Sequence, residues 1–527
     1  MAPEKTAVEM HPQRWGDPAA ATPLNDAARG LVELAFGLHE HPPVESPTPP
    51  AVALDPALLD ALRAIIGPEH VLTDDDTRRV RTRGKSTPDL LRARAGDLSD
   101  APDAVVRPGG PDDVAAVLAL AVEHHVAVVP FGGGTSVTGG LAARRDGYAG
   151  VVSLDLLRMK RLVAVDPVSM TATLEPGLRG PEAEALLAEL GMTLGHYPQS
   201  FEYASIGGFA ATRSSGQSSA GYGRFDALVV GLTVATPRGP LVLGSAPASA
   251  AGPDLRQLVL GSEGAFGVIT SVTVRVRRLP AVKVYEGWRW PSFADGATAM
   301  RTLAQSGLLP TVIRLSDEAE TAINLARPDE IGGVGAGGCL MIVGHEGTSE
   351  SVAARQAAVT AVLTGLGGEW LGEEPGRAWA GGRFGAPYLR DAMLDVGVLV
   401  ETLETATFWS NAERLYAAVK AALEAALGEP AMVLCHVSHV YETGCSLYFT
   451  VAAPEGEDPL GRWQTAKAAA SDAIVAAGAT ITHHHAVGTD HKPWLAAEIG
   501  PVGVGILRAV KADLDPTGIL NPGVLVP

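Results

Sequence analysis

The chain has 527 residues, 46% apolar and 19% charged, which is enough for two or more domains with their own cores and too apolar for a disordered chain. Its net charge of −18 argues against nucleic acid or an anionic membrane as the main partner. Three cysteines (Cys339, Cys435, Cys445) make no disulfide framework; with no apolar run near the roughly 18 residues of a membrane span, no signal-peptide core and no terminal Ser-Lys-Leu address, a cytoplasmic location is expected.

Residues 1–100 read as an N-terminal extension. A proline-rich run, "HPPVESPTPP" (His41 to Pro50), predicts little order, and an arginine-rich helical pattern begins at Pro56. From 101 to 280 short strands alternate with helices and glycine turns, the pattern of an α+β or α/β nucleotide domain. "PDDVAAVLALAVEHH" has apolar residues at helical spacing, with Asp112 and Asp113 in its first turn, and "HHVAVV" then reads as a strand. Directly after it comes "VPFGGGTSVTGG" (Val129 to Gly140). Glycine serves positive φ and close backbone approach, and successive N–H groups in such a loop form an anion-binding nest. A diphosphate is one reading and an ordinary flexible turn the other. The loop has neither a P-loop ending nor the Gly-x-Gly-x-x-Gly spacing of a dinucleotide helix start.

Three more glycine-rich islands follow: "YPQSFEYASIGGFAATRSSGQSSAGYG" (Tyr197 to Gly223), "VVGLTVATPRG" (Val229 to Gly239) and "LGSEGAFGVITSVTVRV" (Leu260 to Val276). Four such segments in order point to a long ligand lying across one domain, a diphosphate with a nucleoside at one end and a large ring at the other. "SVTVRVRRLP" alternates like a half-buried strand that Pro280 ends.

Residues 281–500 form a second region with longer alanine-rich helices, such as Asn411 to Leu427, and residues 501–527 close the chain. "THHHAVG" (Thr482 to Gly488) holds three adjacent histidines. On a strand, His483 and His485 share one face and His484 takes the other. Neutral imidazole is a general base near pH 7 and a metal ligand, so the triplet is a functional cluster, a surface cluster or a fortuitous metal site. In "CHVSHVYETGCSLYFTV" (Cys435 to Val451) the strand pattern puts Tyr448 on the face opposite Leu447 and Phe449. Its phenol needs nearby positive charge to act as a base, which Arg314 in "TVIRLSDE" and Arg390 in "PYLRDAML" could supply.

The motifs "PFGGGTSVTGG", "SIGGFAATRSSG" and "GSEGAFGVIT" resemble those of the vanillyl-alcohol-oxidase-type flavoproteins. Within that group the chain is most similar to the alkyldihydroxyacetonephosphate synthase family of ether-lipid enzymes, over roughly residues 80–527, and "RWGDP" (Arg14 to Pro18) resembles that family's N-terminal segment. The resemblance implies an α+β fold: a two-subdomain FAD-binding domain of the p-cresol methylhydroxylase (PCMH) type over 101–280, a cap built on an antiparallel sheet over 281–500, and a tail, 501–527, returning to the FAD domain. It places the diphosphate on Pro130, Gly132, Gly133, Gly134, Thr135 and Ser136. The flavin and ribityl part lies along Pro198, Gln199, Ser200, Tyr203, Ala204, Ser205, Gly208, Thr212, Ser214 and Ser215. Glu263, Gly264, Gly267, Val268 and Ile269 cover the rest. The first loop has no histidine or cysteine where some relatives attach the cofactor, so FAD is expected to be non-covalent.

The same resemblance makes Arg390 a phosphate binder, links Arg314 to substrate, makes Tyr448 a proton donor or acceptor, and links His483, His484 and His485 to catalysis, with His484 a base for the incoming alcohol. The implied reaction exchanges the acyl group of an acyl-dihydroxyacetone phosphate for a fatty alcohol. It is redox-neutral, with the carbon held at flavin N5 between the two halves. The rival is an FAD-dependent dehydrogenase or oxidase of a D-2-hydroxy acid. Such enzymes carry His-x-Gly-Asp-Gly-Asn-x-His and Glu-His-Gly stretches that hold a metal. Here the first lacks its Gly-Asp-Gly-Asn core and the second becomes His484, His485, Ala486, so no metal is expected. Ala486 and "TDHK" (Thr489 to Lys492) also depart from the synthase pattern. A phosphorylated or carboxylated small molecule, at most peripheral membrane contact and a homodimer complete the expectations.

Overall fold

Three main sheets carry the chain in the computed structural model, which describes residues 8–21, 23–40, 42–323 and 337–527. His41, first residue of the proline-rich run, lies outside the described residues, and residues 42–50 contain no helix or strand. The first sheet runs Val71–Leu72, Ala104–Val106, Val151–Asp155, Ala127–Phe131, its last three strands parallel. Parallel neighbours need a crossover, and the helix Pro111–His124 supplies one. Proline at its start, Asp112 and Asp113 in its first turn and His125 in the left-handed region at its end fix both termini, and Val114, Val117, Leu118 and Ala121 bury its inner stripe.

The second sheet is antiparallel: Leu162–Asp166, Thr171–Leu174, Val268–Arg275, Val229–Thr236, Gly239–Leu243. It corrects one expectation. "VVGLTVATPRG" is a strand and hairpin turn rather than a ligand loop; its β-branched residues pack into the sheet core through Val229, Leu232 and Val234, and none lines the large cavity described below.

The third sheet has seven antiparallel strands in the order Glu369–Gly372, Val282–Trp290, Cys339–Gly347, Val312–Ser316, Met432–Val437, Gly444–Pro454, Val398–Phe408. Alternation sorts the strand Gly444–Pro454 between two environments. Leu447, Phe449, Val451 and Ala453 are buried against the helices Ala412–Leu427 and Pro459–Ala476, while Tyr448, Thr450 and Ala452 line the cavity. The tail returns to the first sheet: Leu520 bridges to Val128, and Asn521 Nδ2 donates to the carbonyls of Gly140 (3.0 Å) and Glu263 (2.6 Å). The N-terminal "RWGDP" segment is stitched to the helix Ala386–Leu394. Arg14 forks onto Asp395 at 2.7 and 2.8 Å, and the Trp15 N–H donates to Asp391.

Candidate functional site

One cavity of about 800 Å³ runs between the sheets. Its first wall is the glycine loop. Gly134 has φ +71°, and a methyl group on Gly133 would run into the Tyr203 carbonyl. Among the described residues, the backbone N–H groups of Gly132, Gly133, Gly134, Thr135 and Ser136 find no acceptor. Buried or half-buried amide donors without partners are costly, and five in a row on residues that line a cavity fit an anionic ligand such as a diphosphate. Pro130, Pro198, Gln199, Ser200, Ala204, Ser205, Gly208, Thr212, Ser214, Ser215, Glu263, Gly264, Gly267 and Ile269 complete this wall. Two expected cofactor residues do not. Tyr203 turns its ring onto Trp15, and its hydroxyl accepts from the Asp17 N–H (2.9 Å). Val268 points into the core beside Ala235. The geometry fits the elongated cofactor, and Gly132–Ser136 contains no histidine or cysteine to attach it.

The polar centre is organised by a residue that the motifs did not single out. Glu404 stands on the strand Val398–Phe408 directly opposite Tyr448 and is 1% exposed. The histidine triplet is not a strand, so its side chains do not alternate. It is an irregular turn wrapped around the Glu404 carboxylate, which accepts from the backbone N–H of His483 (2.6 Å), His484 (3.0 Å) and His485 (2.8 Å) and from the Thr482 hydroxyl (2.6 Å). Converging N–H groups need a buried acceptor, and that demand overrides the extended conformation. Burial opposes charge on Glu404, but its carboxyl lies well below the usual range, its charge held by the Thr482 hydroxyl and the backbone donors and, when they are protonated, by the facing histidines. At the turn's far end Ala486 takes φ +76°, and Glu263 accepts from the N–H of Val487 and Gly488, tying the cofactor wall to the histidines.

His484 and His485 line the cavity; His483 sits behind them, its Nε2 2.6 Å from the Tyr441 hydroxyl. Burial pushes the imidazoles of His484 and His485 down, the latter to about 3, so both are neutral at pH 7. Tyr448 donates to Thr402 Oγ1 (3.0 Å) and stacks on His436 at 4.8 Å. Burial raises its phenol to about 12, and the Glu401 and Glu404 charges add to the rise. The arginines do not convert it to a base. Arg314 is committed to Glu320 and to His436 Nδ1 (3.1 Å), so Tyr448 stays protonated and is placed as a donor. Arg390 lines the cavity from the helix Ala386–Leu394, held by the Lys85 carbonyl (2.6 Å) and by Asp391 (3.1 Å). His439, in the same segment as Tyr448 but without a motif of its own, has Nδ1 between Ser219 Oγ (2.8 Å) and Ser215 Oγ (3.1 Å).

The third wall is apolar. Leu24, Ala28, Val32 and Phe36 from the N-terminal helix Asp26–Phe36 and its lead-in face Met393 and Ala452, with Leu31 and Leu34 at the mouth. No sequence motif announces this lobe; it needs the helix, 26–36, to be folded against a sheet whose strands begin at residue 282.

Comparison with known proteins agrees with this geometry. Residues 102–244 match the FAD binding domain family, and residues 279–525 match the C-terminal domain of FAD linked oxidases. The chain is 35% identical over 505 residues to the alkyldihydroxyacetonephosphate synthase of Trypanosoma brucei brucei, covering 91% of this chain and 82% of that protein. It is 28% identical to the mitochondrial D-lactate dehydrogenase [cytochrome] of Arabidopsis thaliana, over 89% of this chain and 80% of that one. A solved alkyldihydroxyacetonephosphate synthase superposes with a TM-score of 0.82 at 28% identity, covering 98% of each chain. The protein is an FAD-dependent enzyme.

Proposed function

The chain belongs to the alkyldihydroxyacetonephosphate synthase family, and on that premise we propose that it exchanges the acyl group of an acyl-dihydroxyacetone phosphate for a long-chain alcohol without net redox change. The observation that carries this reading is the continuity of the cavity. A wall of free amide donors, a centre with a guanidinium, a phenol and neutral imidazoles, and a long apolar lobe open into one space. A small hydroxy acid leaves the apolar lobe without a purpose.

Bound FAD supplies a reversible electron sink at the substrate carbon. The protein's own groups do the rest. Arg390 binds the phosphate, its planar fork suited to an oxyanion. Tyr448 holds a proton beside the reacting centre, and neutral His484 takes the proton of the incoming alcohol. The C1–O bond to the acyl group breaks and releases a carboxylate; the C1–O bond to the alcohol forms, and the alcohol proton leaves through the histidine. The lobe under the helix Asp26–Phe36 holds the alkyl chains, each buried methylene contributing about 0.8 kcal/mol. We also assign peripheral membrane contact to Leu31 and Leu34, 46% and 85% exposed at its mouth.

The test is anaerobic turnover with a long-chain acyl-dihydroxyacetone phosphate and a fatty alcohol. One ether product per released fatty acid, with the flavin oxidised at the end, supports the reading. Persistent bleaching of the flavin by a D-2-hydroxy acid, with no exchange, sinks it.

A further inference from the structure

His439, His483 and His484 turn toward one another more closely than proton transfer in the exchange reaction requires. One ring nitrogen from each lies within 4.8 Å of the other two, and His483 Nδ1 is 2.9 Å from His484 Nδ1. We propose that these three imidazoles bind one divalent transition-metal ion of the Zn²⁺ or Co²⁺ class. A bound ion takes the His484 lone pair that would accept the alcohol proton, so it excludes the exchange reaction while it is bound. The carboxylate ligand of the Glu-His-Gly position is missing, which argues against a metal on sequence alone; the turn and His439 together provide an all-nitrogen set instead.

Four observations converge on the ion. First, the outward nitrogens are already held. His439 Nδ1 sits against the Ser219 and Ser215 hydroxyls at 2.8 and 3.1 Å, and His483 Nε2 against the Tyr441 hydroxyl at 2.6 Å. Such outer hydrogen bonds orient a ligating histidine and fix which nitrogen faces the metal, leaving His439 Nε2 and His483 Nδ1 for the centre. Second, the rings are already gathered: His439 stacks on His483 at 5.0 Å and meets His484 edge-on at 4.9 Å. Third, Glu404 Oε2 lies 3.6 Å from His484 Nδ1 and gives the cation a buried negative neighbour. Fourth, His439 and His484 line the cavity, which leaves an open coordination position facing it.

The dimensions fit with small movements. Zinc–nitrogen bonds of about 2.0–2.1 Å set tetrahedral ligand nitrogens about 3.4 Å apart, so closing the present arrangement takes side-chain shifts of about 1 Å. Three imidazoles without a carboxylate among them favour zinc, cobalt, nickel or copper over magnesium or calcium. Without the ion, the 2.9 Å contact between the two Nδ1 atoms requires one N–H between them. With it, that proton moves to the outer nitrogen of the ring that carries it (for His483, Nε2, where the Tyr441 hydroxyl accepts), so binding releases no net proton.

The experiment titrates Zn²⁺ into FAD-loaded, chelator-stripped protein against a chromophoric chelator. One ion per chain is expected, with equal proton balance in two buffers of different ionisation enthalpy. His439→Gln and His483→Gln should each weaken binding by about a hundredfold or more, and Tyr441→Phe by roughly tenfold; His485→Gln should leave it unchanged. Retained flavin absorbance and an unchanged urea midpoint show that each variant is folded. X-ray absorption of the zinc-loaded wild type needs no variant and should show three imidazole nitrogens at about 2.0–2.1 Å. Binding no tighter than in His439→Gln, an oxygen-dominated shell, or an equal loss in His485→Gln overturns the proposal, whatever the outcome of the turnover assay.

Discussion

Replacing Glu404 by glutamine should loosen the catalytic centre without touching a cavity wall. The carboxylate is fully buried, and its two oxygens take four donors: Oε1 accepts from His484 N, His485 N and Thr482 Oγ1, and Oε2 from His483 N. Glutamine has one carbonyl. Set at the Oε1 position it keeps three donors, but its amide group then faces the His483 N–H, donor against donor. A hydrogen bond to a charged acceptor contributes about 1 kcal/mol more than one to a neutral acceptor, so the three retained bonds weaken by about 3 kcal/mol, and one orphaned buried N–H costs a further 1–3 kcal/mol. Relief from burying a charge offsets part of this, leaving roughly 2–5 kcal/mol of destabilisation. Urea unfolding followed by tryptophan fluorescence measures it. Turnover should fall by more than about tenfold, the effect of 1.4 kcal/mol on a barrier, while FAD stays bound. An unfolding free energy within about 0.5 kcal/mol of wild type, the range of neutral surface changes, together with full activity, would refute the role given to Glu404.

Arg390→Lys keeps the charge but loses the fork, and should raise the Michaelis constant for the phosphorylated substrate by about ten- to a hundredfold, with flavin absorbance unchanged. Tyr448→Phe keeps the ring stacked on His436 and removes the proton, so kcat should drop by about 10²–10⁴ with little change in the Michaelis constant; an unchanged kcat removes Tyr448 from the chemistry. Burial pushes His196 and His491 down to about 3. A histidine whose folded pKa is depressed contributes stability that is complete above its unfolded value of about 6.5 and lost as pH falls toward the folded value, so the urea midpoint should decline steadily from pH 7 to pH 4. A flat profile contradicts the neutral burial of these rings. Leu34→Glu should cut co-flotation with neutral phosphatidylcholine vesicles by about tenfold or more, since burying a leucine contributes about 1.5–3 kcal/mol.

The sequence made some of these features legible because their causes are local. The helix Pro111–His124 announces itself through proline, two aspartates and a regular apolar stripe, and the alternation around Tyr448 correctly separates it from Leu447 and Phe449. Glycine at 132–134 is likewise a local demand, met where the backbone passes the Tyr203 carbonyl. "VVGLTVATPRG" misleads because its glycines are incidental to a strand whose β-branched residues pack into the second sheet.

The histidine triplet shows where local reading stops. Three adjacent side chains on a strand must alternate, yet the turn gives them no alternation, because the Glu404 carboxylate, on a strand about 80 residues away in sequence, gathers three consecutive N–H groups. The protonation of Tyr448 involves the same glutamate. Burial raises its pKa, the Glu401 and Glu404 charges add to the rise, and Arg314, held by Glu320, lowers it too little to offset them. Both features involve one residue: a lone glutamate in a strand has no motif, and only pairing of the strands reveals that it stands opposite Tyr448. A buried carboxylate that collects backbone donors therefore decides the shape of this centre, and a search for catalytic side chains alone passes over it.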